Sequence, residues 1–336
     1  MPEDTPESAM HGVNLGAQAL VLCSSDGGIL RNEIGGVRTP SLAAFSNGNE
    51  RKLGEAAFSA NAKDRVPTVP RLATLKYSAI GSTPAARHWP FPAGEHAESG
   101  LAQLDVPGFG SQHGVALLGA LLARLRETSS VPVGAAVAFA LPPCAAANAT
   151  AEELAAAQAF ARGAIADAAL VSGWAVPSAI PTASEAASEV LARKYPREKA
   201  GAGDPEPASV DVLLVDVGHS CTSVAAVRLH PTPAPVAEGS PSWTAEMLAE
   251  VADAHLGCDA WDLALFDFFA AQVYVHIYIY NIYIYISYIH THTYIYIYIY
   301  IYIYIYILYI YIYICLYIYL SIYLSIYLYL YRFLYI

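Results

Sequence analysis

The sequence predicts an α/β fold, because short apolar strand patterns alternate with alanine-rich helical patterns along residues 11–271. Two features within that pattern support the prediction. Thr150 and Glu153 have the spacing of a capping box at a helix start, and two glycine-containing turns each follow an apolar strand. A segment of this length can bury the core of one large domain or of two smaller ones.

The N-terminal part of this pattern is extended and rich in turns. Asp26-Gly-Gly28 between apolar runs is typical of a hairpin, and Pro40 disfavours helix in the residue before it. The predicted elements are strands at 11–23 and 29–33 around a turn at 24–28, an extended segment at 38–45, a short helix from 52–57 and a loop-rich stretch at 82–110.

The remainder of the pattern alternates more regularly. Residues 200–207 (AGAGDPEP) have the composition of a flexible linker. Strands are predicted at 135–141, 210–217 and 224–229, and helices at 112–128, 151–171, 183–195, 241–256 and 258–271.

The averages of the 336-residue chain combine two unlike segments. The chain is 55% hydrophobic and carries a net charge of −11, with 25 Tyr against 10 Phe. Of those Tyr, 23 lie in residues 274–335, whereas all 29 acidic and 17 of the 18 basic residues precede residue 273. The composition therefore divides the chain into an acidic body and an apolar tail.

The tail is an almost unbroken Ile-Tyr repeat. Strict alternation predicts β-strand with two apolar faces, and the run is long enough for a hydropathy scan to read membrane spans. An alternating AT dinucleotide encodes Ile-Tyr, and alternating CA encodes the His-Thr of residues 290–293. We interpret residues from about 273 onward as translated microsatellite in an unspliced intron. His276, His290 and His292 are then poor metal ligands.

The body excludes several function classes. Its acidity argues against nucleic-acid binding, which needs clustered cations. Five widely spaced Cys without a CxxC pair argue against a disulfide framework or zinc site and favour a cytoplasmic location. The acidic N-terminus does not resemble a secretory signal.

The chemistry is expected in two related turns. Residues 13–18 (VNLGAQ) and 215–220 (VDVGHS) share an apolar strand, an Asp or Asn, an apolar residue and a glycine. Glycine lets backbone N–H groups approach a phosphate closely, and an Asp at a strand end can hold Mg²⁺ through water or orient an attacking water. Two such turns suggest a duplicated fold that clasps a polyphosphate. The alternative is two ordinary glycine turns in a sheet.

Five segments in order extend this pattern to a family. VNLG, RTPSLAAF, KLGEAA, LLVDVGHS and HLGCDAWDLALFDFFA together resemble the ATPase domain of the 70-kDa heat-shock chaperone superfamily. The Gly218-His-Ser220 turn looks like the 110-kDa branch, whose second phosphate hairpin carries Gly-His-Ser. The resemblance covers most of residues 12–272 and is faint through 82–180.

This resemblance implies an actin-like ATPase fold with ribonuclease-H-like lobes, ATP with Mg²⁺ as cofactors, and unfolded client proteins and a partner 70-kDa chaperone as binding partners. It also implies the site. Gly16, Ala17 and Gln18 would form the first phosphate loop beside Asn14. The second loop would comprise Asp216, Gly218, His219 and Ser220, with Asp216 as the catalytic and metal-binding residue.

Departures from the family pattern predict impaired hydrolysis. Asn14 replaces the first aspartate, Ser223 stands where the hydrolytic branch has another, and Ile180 replaces the acid of a Glu-Pro-Thr-Ala stretch. Arg71 and Lys76 lie near the place of the lysine that supports the attacking water, without matching its context. Loss of these charges should remove most electrostatic catalysis.

The expected domain organisation follows the resemblance. An acidic segment (1–10) precedes the first lobe (11–199), a linker-like loop (200–209), the start of the second lobe (210–272) and the tail (273–336). The repeat begins where the family's adenosine pocket would start, so we expect a truncated domain with weak ATP binding. A non-catalytic binding module and a membrane-associated protein anchored by the tail are alternatives.

Overall fold

The computed structural model describes residues 10–46, 50–80, 89–145, 148–177, 179–195, 209–232, 243–287, 303–317 and 319–320. It divides the chain into two compact units, Met1–Leu265 and Phe266–Ile336. The predicted linker at 200–207, nearly all of the acidic segment 1–10, and His290 and His292 lie outside the described residues, as does the side chain of His276.

The first sheet carries the first glycine turn. Its four strands are ordered β10-β1-β2-β3, with β1 parallel to β10 and antiparallel to β2. The strands are β1 (His11–Leu15), β2 (Ala19–Cys23), β3 (Thr39–Pro40) and β10 (Val137–Ala140). The predicted continuation at 29–33 is wrong, since only a single bridge between Cys23 and Ile29 follows the turn.

Two small antiparallel sheets follow the first hairpin. One has the order β5-β4-β6, formed by β4 (Ala43–Ser46), β5 (Glu50–Leu53) and β6 (Arg65–Val66). The other comprises β7 (Ala93–Glu95), β8 (Ala102–Val106) and β9 (Gly110–His113). The prediction of loop for 82–110 is therefore wrong over these strands, where Ala102, Leu104 and Val106 alternate inward into the core. The short helix expected from 52–57 forms as a 3₁₀ helix, Gly54–Ser59.

Four helices complete the main core, and a fifth packs against the strands that follow it. They are α1 (Val69–Thr74), α2 (Tyr77–Ile80), α3 (Gly114–Thr128), α4 (Ala151–Val171) and α5 (Ala183–Lys194). The capping box predicted at Thr150 is present, and Thr182 with Glu185 forms a second one at α5. Helix α4 is long and apolar enough to cross a bilayer by length and composition alone, but its alanine face is buried in the main core beside α3.

The second sheet is antiparallel and ordered β11-β12-β13, from β11 (Val210–Val217), β12 (Thr222–Pro231) and β13 (Trp243–Asp253). The helix predicted at 241–256 is wrong. Ala, Glu, Met and Leu favour helix, but pairing with β12 and the packing of Trp243 near α5 override that propensity.

The last elements are apolar helices. Helix α6 (Cys258–Ser287) begins where a helix was predicted and runs past residue 271. A second apolar helix, Ile303–Tyr317, lies within the Ile-Tyr repeat. The strand prediction is wrong for this part of the repeat, because a helix pairs backbone groups within one segment and does not require a neighbouring strand.

Candidate functional site

The first turn, residues 16–18, connects β1 to β2 and is held by Ser41. The Ser41 hydroxyl donates to the Gly16 carbonyl at 2.6 Å, and its backbone N–H donates to the Gln18 carbonyl at 2.9 Å. In a planar trans peptide the N–H points opposite to the preceding C=O. The Ala17 N–H therefore points away from Ser41, and it donates no hydrogen bond among the described residues.

Gly16 is required where this turn closes. A Cβ at Gly16 would lie 2.4 Å from the Ala19 carbonyl oxygen, a distance that real side chains do not adopt. Asn14 lies two residues earlier on β1, opposite Val21 and Ala140, with an exposed side chain. The strand thus presents an amide, not a carboxylate, beside the turn.

The second turn, residues 218–220, connects β11 to β12 and is held by the start of α6. The Cys258 N–H donates to the Gly218 carbonyl at 3.1 Å, and the Asp259 N–H donates to the His219 carbonyl at 2.8 Å. Because both carbonyls face α6, the N–H groups of His219 and Ser220 face the opposite side. Neither N–H donates a hydrogen bond within the described part of the chain. Two free N–H groups on one side of a turn form a site for an anion.

Gly257 allows this close approach between helix and turn. A Cβ there would lie 2.3 Å from the His219 carbonyl oxygen and 2.5 Å from the Ser220 carbonyl carbon. Asp216 precedes the turn on β11, opposite Ser223, and its carboxylate is exposed. The Ser220 hydroxyl is buried without a hydrogen-bond partner among the described residues.

The positions of the expected catalytic cations have other partners. Arg71 is 1% exposed, and its guanidinium donates to the carbonyls of Pro143 and, at 2.5 Å, Ala254. Burial lowers the pKa of Arg71, while Cys221, Cys144 and Asp259 raise it. Lys76 is exposed and lies 5.6 Å from the Phe160 ring centre.

The positions where the family has acids carry uncharged side chains in this chain. Ile180 packs partly buried against the main core, and Ser223 is 4% exposed. Burial also raises the pKa of the neighbouring Cys144 thiol to about 11, so that this thiol is neutral at pH 7. No side chain at positions 14, 180 or 223 supplies a carboxylate.

Sequence reasoning did not predict a cavity of about 300 Å³ beside these positions. Pro143 and Cys144 line one side of the cavity. Thr182, which precedes α5, lines it as well, and Ser223 and Glu250 line it from the second sheet. The Thr182 hydroxyl donates to the Glu250 carboxylate at 3.3 Å. Glu250 is thus the acidic group of this cavity, and it was missed because its segment was read as helix.

The described residues bring the two turns into one compact unit, but no hydrogen bond between described residues joins turn to turn. Within the same described residues, no cluster of three or more His, Cys, Asp or Glu side chains has the geometry to hold a metal ion. Asp216 is a single carboxylate. Magnesium bound to nucleotides needs only one or two carboxylates together with phosphate oxygens and water, so Asp216 is compatible with that role.

Comparisons with known proteins give one family match and several similar solved structures. A family model described as Hsp70 protein matches residues 10–279. No curated protein sequence matches the chain. Among solved structures, MreB5 of Spiroplasma citri bound to ADP is similar over 74% of this chain, at 16% identity and a TM-score of 0.37. The same protein bound to AMPPNP gives 14% identity and a TM-score of 0.36. The chain spans about half of those proteins, 52% and 53%.

Proposed function

Because this chain belongs to the Hsp70 protein family and has the α/β, actin-like ATPase fold of that family, we propose that it binds ATP but hydrolyses it poorly. We further propose a cytoplasmic role of the 110-kDa type, in which the protein promotes nucleotide exchange on a partner 70-kDa chaperone or holds unfolded clients. The domain limits inferred from the sequence are part of this proposal.

The observation that carries the proposal is the second turn. Its two free N–H groups, at His219 and Ser220, point to the side opposite α6 and need an anionic acceptor or water. A phosphate group satisfies both. A Cβ at Gly218 would lie 3.0 Å from the Cys221 carbonyl oxygen, so glycine lets this turn close. The first turn would contribute Gly16, Ala17 and Gln18 in the same way, with the Ala17 N–H as the free donor.

We infer impaired hydrolysis from the residues at the positions where the family has catalytic groups. Asn14, Ile180 and Ser223 cannot hold a metal ion or a water molecule as carboxylates do. The terminal nitrogens of Arg71 donate to backbone carbonyls. Removal of one group that stabilises a transition state costs about 10²–10³ in rate. Asp216 is the exposed carboxylate on the strand that leads into the second turn, and it would hold Mg²⁺ through water. Bound Mg²⁺ would neutralise phosphate charge.

Titration of the full chain with a fluorescent ATP analogue tests this function. We expect saturable, Mg²⁺-dependent binding weaker than roughly micromolar, and Asp216→Asn should weaken the Mg²⁺-dependent part about tenfold. Asp211→Asn is the matched control, since Asp211 is an exposed residue of the same strand that pairs with Arg228 at 2.6 Å. Absence of saturable binding would contradict the nucleotide proposal, and micromolar or tighter binding with turnover would contradict the impairment.

The exchange role has its own test. A partner 70-kDa chaperone loaded with fluorescent ADP should release it faster when the full chain is added. An unchanged release rate, combined with suppression of aggregation of an unfolded client, would favour the client-holding role instead.

A further inference from the structure

Three buried polar side chains come from α1, the second turn and the start of α6, and they make no hydrogen bonds to one another. Asp259, the second residue of α6, is 1% exposed, and both of its carboxylate oxygens lack a partner among the described residues. Ser220, in the second turn, is 2% exposed with an unpartnered hydroxyl, and Arg71 in α1 is 1% exposed with an unpartnered Nε. Burial without a partner costs free energy for each group, and most for the carboxylate.

The backbone around these groups places them together. The Asp259 N–H donates to His219, the neighbour of Ser220, and Gly257 packs directly on the Ser220 backbone. Arg71 reaches the same place from α1, because it donates to Ala254, five residues before Asp259. The Asp259 carboxylate raises the pKa of Arg71, which is consistent with the two side chains lying near each other.

Arg71 and Asp259 do not satisfy each other's hydrogen-bonding groups by direct contact. For these two described side chains, no Arg71 nitrogen lies within 4.0 Å of an Asp259 carboxylate oxygen. Their hydrogen-bonding capacities are nevertheless complementary: Nε–H is a donor, the carboxylate oxygens are acceptors, and the Ser220 hydroxyl is both. Water commonly bridges buried polar groups that are too far apart for a direct bond.

We propose that Arg71, Ser220 and Asp259 form one buried hydrogen-bond network, bridged by water, that fixes the second turn against α1. Arg71 is then a positioning residue and not a catalytic cation. Its terminal nitrogens hold the segments after β10 and β13, while its charge and Nε hold the start of α6, which in turn orients the carbonyls of Gly218 and His219. The network rests on the proposed function only where the turn is said to bind phosphate.

A double-mutant cycle in the full chain tests the network without nucleotide. Arg71→Met and Asp259→Asn should each destabilise the chain, and the double variant should be less destabilised than the sum. We expect a coupling of at least tenfold in the unfolding equilibrium constant, about 1.4 kcal/mol. The exposed pair Arg228 and Asp211 is the control cycle, with an expected coupling below about threefold. Additive effects at Arg71 and Asp259 would overturn the network.

Hydrogen exchange supplies a readout specific to positioning. In Asp259→Asn, the amides of Cys258 and of residue 259 should exchange at least tenfold faster, because their bonds to Gly218 and His219 loosen, while amides of α4 keep their protection. Unchanged exchange would overturn the proposal. If Arg71→Met does not fold, Arg71→Lys replaces it in the cycle, and this variant keeps the charge but loses Nε.

Inorganic pyrophosphate, titrated calorimetrically, separates the network from the proposed function. If the wild-type chain does not bind pyrophosphate but the coupling and exchange effects are present, the nucleotide proposal fails and the network stands. If pyrophosphate binds equally to wild type and Asp259→Asn, the network has no role in positioning and the inference is overturned.

Discussion

The two glycine turns follow the same sequence pattern but are held in place in different ways. The first turn depends on Ser41, which follows β3 in the same sheet and supplies two hydrogen bonds. The second depends on the N–H groups that open α6 and on the close approach of Gly257. A short motif therefore specifies the turn itself, whereas the supports come from segments that the motif does not contain.

The difference also concerns how far the support extends. Ser41 lies 25 residues from Gly16, whereas Arg71 bonds to Ala254 across 183 residues of chain. The first turn can thus form when its own sheet forms, and the second requires α1 and the segment after β13 to have come together. Mutations at the second turn should consequently affect a larger part of the molecule.

The largest effect should follow from Gly257→Ala. A methyl group there would meet three backbone atoms of residues 219–221 within 2.6 Å, so the start of α6 must move away. We expect the free energy of unfolding to fall by about 3 kcal/mol or more, as measured by urea denaturation. Gly163→Ala in α4 is the control, because its Cβ meets nothing within 4 Å and alanine favours helix. Similar stability of the two variants would contradict the close packing of helix and turn.

A smaller loss is expected from Gly16→Ala in the first turn. Its Cβ would contact only one backbone group at short distance, the Ala19 carbonyl, and a two-strand hairpin can shift locally. We expect about 1–3 kcal/mol of destabilisation in the same assay. Gly12→Ala, on β1 with nothing within 4 Å, should be near neutral. A loss larger than that of Gly257→Ala would reverse the comparison between the turns.

Ser41→Ala measures the support of the first turn alone. The variant leaves the partly buried Gly16 carbonyl without its side-chain donor, which should cost about 1–2 kcal/mol. Ser59→Ala serves as the matched control, because the Ser59 hydroxyl bonds the Ala56 carbonyl at an exposed site. Equal effects at both sites would show that Ser41 does not hold the turn.

The smallest effects concern one exposed carboxylate in each region. The Ser24 hydroxyl lowers the pKa of Asp26 below 3.8, and the Arg228 guanidinium lowers the pKa of Asp211 below the same value. A lowered pKa in the folded state stabilises the fold above the unfolded pKa, and this contribution is lost as pH falls through the folded pKa.

Carbon-13 titration of the side chains by NMR checks that the pKa of each carboxyl group is lowered. Ser24→Ala should raise only the pKa of Asp26, and Arg228→Gln should raise only that of Asp211. If either variant changed the pKa of both carboxyl groups, the surroundings of Asp26 and of Asp211 would be coupled through the body.

Local sequence signals predicted much of the fold. The capping box at Thr150 and the apolar run of β11 were correct, because a cap and a strand between turn residues are local properties. The alternation at β13 was read as helix, because the composition of that segment favours helix and its pairing with β12 is not visible locally. The same error hid Glu250 from the predicted site.

The sequence predicted the two turns of the candidate site but not the residues that hold them in place. The positions of Gly16 and Gly218 follow from the motif, but Ser41, Gly257 and Asp259 act through contacts with residues distant in sequence. Gly257 and Asp259 were read as part of a family segment without a role. Arg71 was considered as a cation near the attacking water, and its burial between two carbonyls depends on segments that meet only after folding.

Strand β13 has a consequence for self-association. It lies at the edge of its described sheet, so its outer N–H and C=O groups can pair with another chain. Glu246 and Asp253 place two carboxylates along this edge strand. Two copies aligned edge to edge would bring these like charges together at neutral pH, which disfavours ribbon-like polymers. Dissolved salt screens that repulsion, so concentrated salt is the condition under which this protein should be handled at the lowest concentration.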